Sequence, residues 1–176
     1  MAIDRQKTET VHWHAVFTAS RAEKKVRDRL EELGVECFLP VQTVLRQWTY
    51  RKSRVVVPVI AGLVFVRVSR QEQVKVLQTK GVVAFLRLKG EAGAAVIPDK
   101  QMEDFRFLLD FSEEAVEMTN ENIKAGDLVR VVKGSLRGME GELIRHRGVT
   151  KVLVRIDMLG CAMVNIPASF VEKLNK

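Results

Sequence analysis

Cysteine is nearly absent: the 176 residues hold two, Cys37 and Cys161, far apart and set inside apolar patterns. Neither belongs to a C-x-x-C pair, so no zinc knuckle and no redox motif is written here. Both read as small buried hydrophobes in a reducing compartment. Long apolar runs are missing too. The longest, Val55–Val66, is too short to cross a bilayer and contains Pro58 and Gly62. The first residues, MAIDRQKTETVHWH, lack the hydrophobic stretch of a signal peptide, so a cytoplasmic location with no membrane partner is expected. Histidines number three. His12 and His14 would share one strand face, but no nearby carboxylate or cysteine completes a metal set, and a plain surface or edge pair is expected. No Ser or Cys sits in a motif that would activate it, and His146 lies in RHRG. Gly134, Gly138 and Gly141 in KGSLRGMEGE miss the G-x-x-x-x-G-K-[ST] spacing and read as strand-to-strand turns. The expectation is a binding protein with no cofactor and no catalysis.

What is present is an ordinary globular composition, 47% apolar and 29% charged, in a length that suits one domain or two small ones. Net charge is +7, which suggests an anionic partner. Its distribution is uneven. Residues 1–111 carry a net of +6, residues 112–124 (SEEAVEMTNENIK) a net of −3, and residues 125–176 a net of +4. Two basic blocks parted by a short acidic interval predict a domain over 1–111, a linker over 112–124 and a second domain over 125–176.

Along the chain, VHWHAVFT (Val11–Thr18) reads as a strand. Ser20 followed by Glu23 has the spacing of a capping box, and Ala22, Val26, Leu30 and Leu33 follow a helical period that stops at Gly34. Strands are expected over Val35–Pro40, Val55–Val59, Leu63–Val68 and Gly81–Leu88, with helices over Gln71–Gln78 and from Ile97–Pro98 onward. In the last helix Met102, Phe105, Leu108 and Leu109 form an apolar stripe. The front block is therefore an α+β sandwich, a sheet with helices packed on it. The last 50 or so residues alternate in strand fashion between glycine turns and predict a small all-β barrel.

Two features point to nucleic acid. RQWTYRKSR (Arg46–Arg54) sets Arg46, Arg51, Lys52 and Arg54 beside Trp48 and Tyr50, directly before the most apolar segment of the chain. Cations there can neutralise phosphates, and Trp48 and Tyr50 can stack on unpaired bases, although Trp48 also suits a structural cross-strand pair. Arg21, Lys25 and Arg29 recur every four residues, so a helix would carry them along one edge.

The assembled pattern resembles the NusG family of transcription elongation factors. WHAVFTASRAEKKVRDRLEELGVECFLP (Trp13–Pro40) is similar to the opening strand and helix of the family's N-terminal (NGN) domain, and VPVIAGLVFVRV (Val57–Val68) to its P-L-F-P-G-Y-V-F-V signature. KGVVAFLRLKGEAGAAVIPDKQMEDF (Lys80–Phe105) is similar to the later G-V-x-x-F-V strand and the closing helix. GDLVRVVKGSLRGMEGELIR (Gly126–Arg145) resembles the KOW motif, which implies an SH3-like barrel. RQWTYRKSR resembles the R-Q-W-x-x-R-K stretch of specialised, UpxY-like paralogues that antiterminate polysaccharide operons in Bacteroidetes. The signature departs at Ala61 for Pro and at Leu63 for Tyr, and Ser135–Leu136 stands for Pro-Phe in the KOW loop.

The resemblance implies a monomeric factor that docks through an exposed apolar hollow of Ile60, Leu63 and Phe65 on the clamp helices of the largest RNA polymerase subunit. It implies contact of Arg21, Lys25 and Arg29 with the displaced non-template DNA strand. It further implies a KOW barrel whose loop, Ile156, Met158 and Leu159, meets the ribosomal protein NusE or the termination factor Rho. The competing expectation is a ribosome-associated RNA-binding KOW protein.

Overall fold

A computed structural model describes residues 9–175. In chain order the elements are β1 (His12–Thr18), α1 (Glu23–Glu32), β2 (Glu36–Phe38), β3 (Val41–Trp48), β4 (Arg51–Pro58), β5 (Leu63–Val68), α2 (Glu72–Leu77), β6 (Val82–Phe85) and α3 (Asp99–Phe111). There follow β7 (Glu117–Thr119), β8 (Asp127–Val131), β9 (Glu140–His146), β10 (Val149–Ile156), β11 (Gly160–Asn165), a 3-10 turn at Ala168–Phe170 and β12 (Val171–Lys173). Packing divides the described residues into two units, one within 1–39 and 62–96 and the other within 40–61 and 97–176.

The first unit is a four-stranded antiparallel sheet in the order β2-β5-β1-β6, with α1 and α2 packed on it. Val26 and Leu30 of α1 are fully buried, as the helical period requires, and the helix stops where Gly34 N–H returns to the Glu31 carbonyl at 2.9 Å. The expected capping box does not form. The helix begins at Glu23, after Ala22, with no side-chain cap. Glu23 is buried and its Oε1 instead accepts the Gly62 N–H at 2.7 Å, while the Thr18 N–H bonds the Gly62 carbonyl at 2.9 Å. A carboxylate with a fixed backbone donor at that distance has a stronger partner than its own helix end.

His14 departs from the surface pair expected of it. It is buried, its Nδ1 lies 2.7 Å from the Ala95 carbonyl, and its ring meets Phe85 edge-on at 5.7 Å. The bond to a carbonyl makes Nδ1 the protonated nitrogen and leaves Nε2 as an acceptor beside Gln73 Nε2, at 3.4 Å. Burial pushes this imidazole below its ordinary value of 6.5, the Ala95 bond opposes the shift, and His12 adds to it. A depressed folded-state value means that His14 contributes stability above about pH 6.5 and loses it as pH falls toward the folded value. The midpoint of thermal unfolding is therefore expected to drop between pH 7 and pH 5, and His14→Gln, which keeps a donor but cannot charge, is expected to flatten that slope.

The second unit holds the two-stranded β3–β4 hairpin, α3 and a six-stranded antiparallel sheet ordered β12-β8-β9-β10-β11-β7. Ile144, Leu153, Cys161 and Met163 form a buried cluster on this sheet. α3 packs on β10, and the Asp157 N–H bonds Gln101 Oε1 at 2.8 Å. The interval expected to be a linker, 112–124, carries the edge strand β7, paired to β11 through Cys161↔Thr119 and Met163↔Glu117. Its acidity has a structural cause. Glu117 pairs with the buried Lys151 of β10 at 2.7 Å, Glu121 with Arg147 at 3.1 Å, and Glu114 accepts from Asn165 at 2.8 Å. These carboxylates complement cations and amides of the sheet. Gln42 holds the same interval from the hairpin, pairing both its amide groups with the Val116 backbone at 3.2 and 2.9 Å.

Candidate nucleic-acid interface

The hairpin pairs eight residues of β3 with eight of β4 in unbroken register, from Val41↔Pro58 out to Trp48↔Arg51, with Thr49 and Tyr50 at the tip. Side chains alternate faces along each strand. One outer face carries Leu45, Gln47, Lys52 and Arg54, all exposed; the other carries Arg46, Trp48 and Arg51, exposed, and Ser53, half-buried. Trp48 Nε1 donates to Ser53 Oγ at 3.1 Å, which commits the indole's one donor and fixes its ring. Residues 40–62 contain four cations and no Asp or Glu. Unopposed charge of one sign on a narrow ribbon attracts polyanions.

The cationic edge of α1 is less regular than its spacing suggests. Arg21 precedes the helix with a positive φ of 59°, so it leaves the four-residue series. Lys25 is exposed on the helix, and Arg29 is half-buried, its Nη1 donating to the Lys80 carbonyl at 2.6 Å. Only Lys25 stands on α1 as a solvent-facing cation of the expected row.

The apolar hollow does not appear as expected. Leu63 is 1% exposed and Phe65 is 0% exposed, while Ile60 is half-buried. β5 lies between β2 and β1, and all its residues but the half-buried Arg67 are buried, so neither side of it is open to solvent. Ile60 alone of the three presents surface. In the second unit Ile156 is likewise a core residue, at the end of β10, whereas Met158 is exposed in the β10–β11 turn with φ 67° and Leu159 is half-buried. Tyr50, expected with Trp48 to stack on bases, is the most exposed large hydrophobic side chain described, at 97%.

Burial raises both thiols, that of Cys37 to about 11, so neither carries the thiolate a nucleophile needs at neutral pH. Among the described residues no group of three His, Cys, Asp or Glu side chains is placed to hold a metal ion, and no helix is long and apolar enough to cross a membrane. Arg155 binds both oxygens of Glu142 at 2.6 and 2.9 Å and holds that carboxyl below its ordinary range. Because the Ile123 carbonyl also accepts from Arg155, the pair ties the 120s segment to the sheet.

Residues 11–106 match the family described as "Transcription termination factor nusG", a span of more than half the chain. The class so defined is that of transcription factors. The chain belongs to the NusG family. Among solved structures it is similar to Thermotoga maritima NusG, described under "Domain interaction", at 23% identity over 94% of this chain and 98% of that one, with a TM-score of 0.50. At that identity the likeness speaks to fold. It also aligns with an MjSpt4:Spt5 complex, in conformation B, at 16% identity over 93% of this chain and 97% of that one, with a TM-score of 0.31. Among curated proteins none matches the chain.

Proposed function

We propose that the protein is an elongation and antitermination factor that binds RNA polymerase and suppresses pausing or termination, of the specialised type that serves polysaccharide operons. Membership of the NusG family across residues 11–106 is the observation that carries the reading. The acid-free basic hairpin supports it, since a factor riding on a transcribing enzyme lies beside nucleic acid. In this reading the N-terminal block, 1–111, meets the clamp helices of the largest catalytic subunit with Ile60 as its contact. Leu63 and Phe65, buried in β5, act only by holding that strand in its sheet. Lys25, with Arg21 and Arg29, faces the non-template DNA strand. The C-terminal block, 125–176, is an SH3-like KOW barrel that recruits NusE or Rho through Met158 and Leu159, with Ile156 anchoring their turn. The factor acts by population shift, binding the elongating conformation of the polymerase more tightly than the paused one.

Single-round transcription over templates with a pause and a terminator tests this directly. Added protein is expected to shorten pause lifetimes and raise read-through, and Ile60→Asp is expected to lose the effect while keeping the wild-type melting temperature. Unaltered pausing and termination with the wild-type protein would retire the proposal.

A further inference from the structure

The hairpin tip is built from residues that do not help it turn. Two-residue connections favour Gly, Asn and Asp, which accept positive φ. Here Thr49 and Tyr50 join the paired Trp48 and Arg51, and neither has a positive φ. A tip without positive φ accepts most side chains, which leaves both positions open to another demand. The demand is visible in the exposure: Tyr50 is 97% and Trp48 57% accessible, on a ribbon with four cations and no carboxylate. Trp48 has already committed its donor to Ser53, so what it offers a partner is ring surface. A duplex presents phosphates to the cations but hides its base faces within the stack. An unpaired strand presents both phosphate and base face, and aromatic stacking on bases tolerates any sequence.

We propose that the β3–β4 tip binds unpaired nucleic acid, with Trp48 and Tyr50 stacking on bases and Arg46, Arg51, Lys52 and Arg54 neutralising the flanking phosphates. The inference rests on the polymerase-associated reading only for the setting in which such a strand is met. Discrimination against duplex comes from the two rings, and salt-dependent affinity comes from the four cations.

The full-length protein is titrated with labelled 12-residue oligo-dT, 12-residue oligo-U and a 12-base-pair DNA duplex, reading anisotropy from 50 to 200 mM salt. Both single strands are expected to bind more tightly than the duplex, and a preference between them names the sugar. Tryptophan emission gives a second readout. The chain has two tryptophans, and Trp13 is 5% exposed, so quenching by oligo-dT reports Trp48. The double variant Trp48→Ala/Tyr50→Ala is expected to lose about ten-fold or more in single-strand affinity. Its dependence of log K on log salt should stay unchanged. Arg51→Ala/Lys52→Ala is expected to flatten that dependence by about 1.4, at roughly 0.7 per phosphate contact on a single strand. Both pairs are exposed, and melting curves matching wild type exclude misfolding. Equal affinity for duplex and single strand, or single-strand binding untouched by loss of both rings, overturns the inference. Pause assays run in parallel separate the two proposals. Relief of pausing without oligonucleotide binding removes the inference alone, and oligonucleotide binding without relief removes the functional reading alone.

Discussion

Leu63→Asp is expected to unfold the unit that contains β5, and not to yield a folded protein that has lost one partner. Leu63 is 1% exposed, pairs with Phe17 of β1, and neighbours Val64, Phe65 and Val66, all buried. A carboxylate forced into that position carries an effective desolvation penalty of several kcal/mol. Against a total stability of about 5–15 kcal/mol for a domain, the single change takes most of the margin. Protonation of the aspartate relieves part of the cost, so the variant should be less unstable at pH 4.5 than at pH 7.5 relative to wild type. Far-ultraviolet circular dichroism with a urea titration reads the result. A cooperative transition within about 1 kcal/mol of wild type would show that Leu63 is less enclosed than its burial indicates. Ile60→Asp is the matched control, because Ile60 keeps surface.

The burial of Leu63 was legible in the sequence, although the resemblance pointed elsewhere. LVFV has no polar alternation, and an unbroken apolar run of strand length suits a strand covered on both faces. The family signature drew attention to the same residues as a docking hollow. Other elements were read from local chemistry alone. The period of Val26 and Leu30 and the stop at Gly34 place α1, and Met102, Phe105 and Leu108 place the buried stripe of α3.

What stayed hidden depends on partners distant in sequence. Ser20 and Glu23 satisfy a capping rule over three residues, but the Gly62 N–H, 39 residues away, competes for the same carboxylate and wins it. Burial of His14 depends on Ala95, 81 residues on, which no strand period reveals. Acidic residues in 112–124 look like a solvated linker until Lys151, Arg147 and Asn165 are seen to face them. At the hairpin tip the basic, aromatic run marked Trp48 and Tyr50, but the bond from Trp48 to Ser53 needed the folded hairpin to appear.

The edge strand in that acidic interval supplies the second large effect. Gly160→Ala is expected to cost about 2–6 kcal/mol, from backbone strain and overpacking together. Gly160 has φ 98°, where a side chain is strained, and a Cβ there would collide with the Thr119 carbonyl oxygen and lie 2.8 Å from Asn120 Oδ1. The obstacle is the backbone of β7, which cannot swing aside as a flexible side chain could. Relief requires β7 to separate from β11, which breaks the Cys161↔Thr119 pairing and draws Glu117 away from the buried Lys151. An uncompensated buried ammonium then adds its own penalty. Gly138→Ala separates the two causes, since Gly138 has φ 93° but open space around its Cβ. That variant is expected to pay the strain alone, about 1–3 kcal/mol. Hydrogen exchange gives the local reading: amides of β7 and β11 should lose protection in Gly160→Ala, while those of β8 and β12, at the other end of the sheet, change least. Equal losses for the two glycines would mean that β7 yields freely and does not act as a fixed sixth strand.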